Sequence, residues 1–390
     1  MINISPIHKA FVFVIFRNRR TYKNKRNIAD SSSFIFPYYT VLVPLRKEGA
    51  VVKDTINSLN SIEYPREKLQ VLLLLHEDDD NTRSAMPERL PESFTAIYLP
   101  VEKPLTKGRS LNYGLCYAQG KYVTVFDAED KPDADQLKKA AILLENSAQD
   151  IWALQARLCI YNNDKNWLTY LFFLEYKFWY SYYIPYLSKK NYPIPLGGTS
   201  NHFKKELLLS LGGWDSFNVT EDADLAVRIF KNGGKVAILD SETREKAPSK
   251  IPNWVRQRTR WIKGLLQTSL VHSRKQVSLP LIKYFVFCFS GITLPANLLI
   301  FPLLVFLIKN PIHKQIVLSL AKSGFLFSFG ITIIMNFALM NKLRLKSIIR
   351  ILFPGIIMYW VLYLWSGLRA FYQLLTKPHH WEKTDNSING

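Results

Sequence analysis

Cysteine is scarce in this 390-residue chain: Cys116, Cys159 and Cys288 are odd in number and lack metal-ligand spacing, so neither a disulfide framework nor a zinc cluster is indicated. Acid is missing altogether from two long intervals. Residues 1–29 hold seven Lys or Arg and no carboxylate, and after Glu245 none occurs until Glu382, an interval with eighteen basic residues. The net charge of +20 therefore lies at the two ends, while residues 30–245 carry 25 basic against 29 acidic side chains. A nucleic-acid groove needs cations interleaved with aromatics on a folded face, whereas here they flank apolar stretches, so no nucleic-acid partner is expected. The apolar run at residues 10–16 is short, and Arg17, Arg19 and Arg20 follow rather than precede it, which makes a poor signal peptide.

Long uncharged runs are what the second half has instead. Residues 284–308 contain no charge and residues 316–340 only Lys322, each about long enough to cross ~30 Å of hydrocarbon. Both are expected to be transmembrane helices. A third run, at about 348–368, has Pro354-Gly355 near its start and is expected either to cross or to dip and return. The cationic loop around Lys342, Arg344 and Lys346 is placed in the cytoplasm by the positive-inside rule. Two crossings then put residues 37–273 there as well, so a multi-pass protein of the cytoplasmic (inner) membrane is expected. Residues 1–36 form a basic N-terminal segment suited to an acidic lipid surface. Residues 274–376 are the interfacial and transmembrane region, and 377–390 a C-terminal tail.

Within 37–273, short β-rich runs at 39–45, 69–75, 95–99 and 122–126 alternate with amphipathic stretches. That alternation predicts an α/β fold with a mostly parallel sheet covered by helices. Ligands of such sheets bind beyond the carboxyl ends of the strands, and polar residues follow every predicted strand.

Pro44-Leu45-Arg46-Lys47-Glu48 follows the first strand, His76-Glu77-Asp78-Asp79-Asp80 the second, and Asp127-Ala128-Glu129-Asp130 the fourth. Acidic loops are often no more than solvated surface, but two carboxylates two apart on an extended segment, Asp127 and Glu129, can hold a hard divalent cation that neutralises a diphosphate. The third strand leads to Lys107-Gly108-Arg109 at a predicted helix start. Cations there oppose the macrodipole, a cost that a bound anion would offset; a solvated basic turn is the simpler reading. Thr220-Glu221-Asp222-Ala223-Asp224 opens another helix, where acids are favoured as caps. Asp222 gains interest because an acidic group must take the proton from any sugar hydroxyl that acts as a nucleophile. Gln257, Arg260, Trp261 and Gly264 fall at i, i+3, i+4 and i+7 and share one helix face. An indole beside a guanidinium suits a sugar ring stacked next to a phosphate. The same helix also suits a membrane interface, with Arg256, Arg258, Arg260 and Lys263 on headgroups and Trp254 and Trp261 in the aromatic belt.

This order of motifs, followed by apolar spans, resembles the membrane-bound family 2 glycosyltransferases, the group of cellulose and hyaluronan synthases, over about residues 39–273. Pro195-Leu196-Gly197-Gly198-Thr199-Ser200-Asn201 resembles a segment that faces the acceptor in bacterial members of the β-glycan synthase type. The resemblance implies a GT-A-like nucleotide-sugar-binding domain followed by C-terminal transmembrane helices. It implies Pro44 and Glu48 with a carboxylate among Glu77 to Asp80, first Glu77, at the base and ribose, Arg260 at the diphosphate, and Asp127 and Glu129 on Mg²⁺ or Mn²⁺, with Lys107, Arg109 and Gln257 as further nucleotide-sugar contacts. Asp222 is the implied base, and Gly198, Thr199 and Trp261 the acceptor contacts. Glu stands where the family's metal motif has its second Asp, and His76-Glu77-Asp78 stands where Asp-Asp-Gly is usual. The implied activity is inverting transfer from a UDP-sugar to a growing polysaccharide at the cytoplasmic membrane face. The alternatives are single transfer to a polyprenyl or other lipid acceptor, and a membrane-anchored nucleotide-binding protein without turnover. With few spans for a channel, a second copy or an export partner would complete a pore.

In related synthases a segment after the spans closes over the nucleotide, and Trp381, Lys383 and Thr384 could form such a lid. The lid requires the tail to share the cytoplasm with Asp127. A Ser387→Cys variant is expected to resist an impermeant thiol reagent added to intact cells, and labelling from outside would show three full crossings and no lid.

Overall fold

The computed structural model describes residues 34–274, 278–279, 281–282, 306–313, 315–319, 349–380 and 382. The strands are β1 Tyr39–Leu45, β2 Leu69–His76, β3 Phe94–Leu99, β4 Tyr122–Val125, β5 Lys131–Pro132, β6 Ile151–Ile160, β7 Asn201–Lys204 and β8 Lys235–Glu245. They form one sheet in the order β3-β2-β1-β4-β7-β6-β8-β5. The β3-β2-β1-β4 half and the β6–β8 pair are parallel, while β7 runs antiparallel to both neighbours and β5 to β8. Val41, Leu42, Val43, Leu72, Leu73 and Leu74 are all essentially buried, as expected of strands covered on both faces.

The helices are α1 Val52–Asn60, α2 Asp80–Ser84, α3 Lys107–Leu115, α4 Gln136–Glu145, α5 Trp167–Phe178, α6 Ile184–Lys189, α7 Lys205–Ser210, α8 Glu221–Lys231, α9 Ile251–Ser273 and α10 Ile349–Thr376. A π turn, Trp179–Tyr183, joins α5 to α6. Two local signals set key starts. The Thr106 side chain accepts the Arg109 amide at the head of α3, and Asn166 and Thr169 form a capping box on α5. Helix α9 passes the loop before α8 so closely that a side chain at Gly264 would strike Thr220. That approach brings the Arg260 face of α9 onto the start of α8.

The expected spans at 284–308 and 316–340 lie almost wholly outside the described residues. Among the described residues no helix is long and apolar enough to cross a membrane. The third run belongs to α10, which continues through Pro354-Gly355 as one helix rather than turning back, and packs on α9 and α5. Its Tyr359, Trp360 and Tyr363 are buried there, whereas Val361, Trp365, Leu368 and Phe371 are about half exposed or more.

A buried charge pair holds α10 in place. The Arg258 guanidinium, with no exposed surface, donates to both carboxylate oxygens of Glu175 at 2.9 Å and to the Tyr363 hydroxyl at 2.7 Å. The Tyr359 and Tyr363 hydroxyls each donate to Glu175 at 2.7 Å. The guanidinium also lies over the rings of Trp261 (4.5 Å), Phe172 (4.6 Å) and Trp254 (5.1 Å). Arg258 is therefore not a headgroup contact, and neither is Lys263, which is buried and donates to the backbone oxygens of Lys377 and His380. Removing one partner strands the other charge, so Arg258→Met is expected to cost about 3–5 kcal/mol of unfolding free energy. Arg258→Met combined with Glu175→Met should cost less than the two single changes added, measured by denaturant unfolding as a double-mutant cycle.

Candidate active site

The carboxyl ends of β1, β2 and β4, the loop before β7, the start of α8 and the inner face of α9 open on one cleft. Pro44, Glu48, Lys107, Asp127, Glu129, Gly198, Thr199, Asp222, Gln257, Arg260 and Trp261 all line it, so most of the residues singled out in sequence do converge.

Two of them do not. Glu77 is exposed, and its place at the end of β2 is taken by His76, which lines the cleft beside Arg46. Arg46 Nη1 lies 3.0 Å from His76 Nδ1 and its Nη2 lies 3.1 Å from Asp78, while His76 Nε2 lies 3.0 Å from the Ser110 hydroxyl. Arginine can only donate, so Nδ1 accepts and the proton sits on Nε2. Burial, and after it Arg46, pushes His76 down to about 4, so this wall holds a neutral imidazole. The reason Glu77 misses is the alternation of a strand: with His76 turned to the cleft, the next side chain faces out. Arg109 is also outside the cleft lining and pairs with Glu102 instead. Of the two cations on the first turn of α3, only Lys107 lines the cleft.

Lys107 donates to Asp127 and to the Gly198 carbonyl oxygen, the latter at 2.6 Å. Burial alone would lower the ammonium, but Asp127, with Glu221 and Asp222 beyond, holds it above its ordinary value. Asp130, missed in sequence, is the brace of the acidic loop: its Oδ2 accepts the Asp127 amide at 2.7 Å and the Thr199 hydroxyl, while Oδ1 is buried without a partner. Thr199 therefore serves Asp130 and the Val125 carbonyl as well as facing the cleft. Among the described residues no group of three or more His, Cys, Asp or Glu is arranged as a metal site. Asp127 and Glu129 nevertheless offer hard oxygens on one cleft wall, the donor chemistry of Mg²⁺ or Mn²⁺ when phosphate oxygens and water complete the set.

Asp222 is the second residue of α8, and its Oδ1 accepts the Ala223 amide at 2.8 Å. A carbon placed at Gly198 Cβ would lie 3.5 Å from Asp222 Oδ2 and 3.4 Å from Lys107 Nζ, so a carboxylate and an ammonium flank this glycine from the same cleft. Burial raises the Asp222 carboxyl above its ordinary value, against the pull of the Ala223 amide, Lys107 and Arg260. The far end of the cleft holds Phe172, Tyr176, Trp179, Tyr180 and Glu245, none of which was identified from sequence. Their one signal was the density of aromatics between Trp167 and Tyr186, which reads equally well as core.

The tail folds back along α9. Gln267 donates to the Pro378 carbonyl at 3.0 Å, His379 contacts the Phe217 carbonyl at 3.0 Å, and Arg369 binds both oxygens of Glu382 at 2.6 and 2.7 Å. Trp381, Lys383 and Thr384 lie outside the described residues.

A parallel sheet with an acidic loop after its fourth strand, a carboxylate at a helix start and a guanidinium beside an indole defines a GT-A-type sugar-transfer domain. Residues 37–264 match the family described as glycosyltransferase like family 2, and the chain belongs to that family. It is 26% identical over 235 residues to "Probable glycosyltransferase YdaM" of Bacillus subtilis, covering 58% of this chain and 55% of the relative. It is also 26% identical over 240 residues to a β-monoglucosyldiacylglycerol synthase of Trichormus variabilis, covering 60% of this chain and 50% of that protein. The chain thus spans about half the length of these curated relatives. The fold is shared with the mannosyltransferase PcManGT of Pyrobaculum calidifontis, solved with GDP-Man and Mn²⁺, at a TM-score of 0.59 and 18% identity over 95% of this chain and 94% of that one. Residues 37–264 are accordingly a family 2 glycosyltransferase domain.

The raised Asp222 carboxyl has a kinetic consequence. A base held above its ordinary value is protonated, and idle, at a pH where an exposed aspartate would still be ionised. With Asp222 as the base, the acid limb of kcat/KM, which reports the free enzyme, is expected to fall with decreasing pH through a midpoint above the ordinary aspartate range. A pH profile of kcat/KM checks this, and a midpoint at or below that range would remove Asp222 as the base.

Proposed function

We propose that this chain is an inverting hexosyltransferase that moves a sugar from a UDP-sugar to a growing glycan at the cytoplasmic face of a membrane. The observation that carries the reading is the meeting of Asp222 Oδ2 and Lys107 Nζ at Gly198, which puts a base and a diphosphate contact within one sugar's reach of each other. Asp222 takes the proton of the acceptor hydroxyl, the oxygen attacks the anomeric carbon from that side, and the bond to the diphosphate oxygen breaks on the other, inverting the centre. Lys107 and Arg260 stabilise the negative charge that collects on the departing diphosphate. A Mg²⁺ or Mn²⁺ held by Asp127 and Glu129 would add to that neutralisation when bound. Pro44, Glu48, Arg46 and His76 form the end of the cleft suited to the nucleoside. Trp261, steadied from behind by Arg258, offers an acceptor platform.

Membrane attachment rests on the apolar runs at 284–308 and 316–340 and on the exposed apolar side chains of α10. The second reading, transfer to a lipid acceptor, is favoured by the glucosyldiacylglycerol synthases among the relatives.

Asp222→Asn is expected to reduce transfer about 10²–10⁴-fold while UDP affinity stays within about twofold, because a base acts in the transition state. Equal loss of both would make Asp222 structural. Asp127→Ala should abolish the metal dependence of UDP binding, and calorimetry with and without Mn²⁺ reads this directly; unchanged metal dependence would remove Asp127 from the cation site.

A further inference from the structure

The far end of the cleft is built for more than a flat platform. Tyr176, Trp179 and Tyr180 stand at i, i+3 and i+4 where α5 passes into the π turn, and all three line the cleft. Single π turns are frequent at functional sites, because the inserted residue re-aims the side chains that follow. Tyr180 is 2% exposed, yet its hydroxyl has no hydrogen-bond partner. A side chain at Gly197 would put its Cβ 2.6 Å from that hydroxyl, so the glycine leaves room for it beside the acceptor-facing loop. Glu245, the last residue of β8, lines the same cleft as Tyr176. Phe172, Trp179, Trp261 and Leu265 supply the apolar walls.

We propose that Tyr180 and Glu245 form a hydroxyl-binding subsite for a hexopyranosyl acceptor, with its ring packed against the aromatic walls and one hydroxyl presented to Asp222. The inference rests on the transferase reading above and narrows its acceptor class. A pyranose carries C–H faces for the indole and phenyl surfaces, and hydroxyls that both donate and accept around its rim. Burial, and then Glu245 and Asp222, keeps the Tyr180 phenol protonated, so it can donate to one hydroxyl oxygen while accepting from another. A buried hydroxyl and carboxyl set against acyl chains would remain unsatisfied, which disfavours a bare diacylglycerol at this position.

The test uses the full chain in phosphatidylglycerol nanodiscs. The donor is chosen from UDP-glucose, UDP-N-acetylglucosamine, UDP-galactose and GDP-mannose by nucleoside diphosphate release, and the acceptors are octyl glucoside, octyl galactoside, octyl mannoside and 1,2-dioctanoylglycerol. At least one glycoside is expected to be used with a lower KM than dioctanoylglycerol. Tyr180→Phe and Glu245→Gln should each raise that glycoside's KM about tenfold, with UDP affinity by calorimetry within about twofold. Preference for dioctanoylglycerol, donor hydrolysis without use of any glycoside, or unchanged glycoside KM in both variants overturns the subsite and leaves the transferase reading standing. An equal rise in KM for both acceptor types also overturns it, since that reports a general distortion. Failure to release a nucleoside diphosphate from any donor takes down the transferase reading itself, and the subsite with it.

Discussion

Arg258 and Glu175 are taken out of water together, and much of the geometry around the cleft follows from what that requires. A guanidinium without exposed surface needs its charge matched; the Glu175 carboxylate and the phenol hydroxyls of Tyr359 and Tyr363 take its Nη donors, and three aromatic faces surround it. The partners come from three separate helices: Glu175 and Phe172 from α5, Trp254 and Trp261 from α9, and Tyr359 and Tyr363 from α10. One ion pair thus locks Trp261, the aromatic wall of the cleft and α10 into a single arrangement. Specificity of packing, rather than net stability, is what such a pair can supply, since its desolvation cost offsets much of its attraction.

The cleft itself follows a different electrostatic logic. Asp127, Glu129, Asp130, Glu221, Asp222 and Glu245 line one cavity, and burial, with their mutual repulsion after it, pushes Glu221 to about 7 and Glu245 well above the ordinary carboxylate range. Lys107 and Arg260 are the cations set against them, and a diphosphate arriving with a divalent ion brings both signs at once. Such a site is costly while empty and becomes balanced only when filled, the usual condition of a site that must handle highly charged substrates.

The return of the tail along α9 joins the two. Lys263 and Gln267 hold the backbone of residues 377–380 on the same helix that carries Arg260 and Trp261, and Arg369 fixes Glu382. Residues just before and after Trp381 are thereby kept near the cleft-bearing helix.

The parallel half of the sheet was legible in sequence because its strands are short runs rich in aliphatic and β-branched residues, Leu-rich and buried in β2, and each observed strand from β1 to β4 lies within a residue of its expected bounds. The rim residues after those strands were legible for the same reason, since parallel strands must end on one side. Gln257, Arg260 and Trp261 could be put on one face from helical period alone. What sequence could not decide was orientation within a few residues: whether His76 or Glu77 turns inward at the end of β2, whether Lys107 or Arg109 does so on α3, and whether Arg258 meets lipid or Glu175. Each depends on partners from other elements of the fold, such as Arg46 for His76, Asp127 and Gly198 for Lys107, and Glu175 and Tyr363 for Arg258. Tyr180 and Glu245 were invisible for the same physical reason, because a buried aromatic and a strand-end acid have ordinary uses everywhere, and only the packing of α5 and the π turn on β6, with the approach of the Gly197 loop, puts an unpaired hydroxyl at the cleft that the carboxyl also lines.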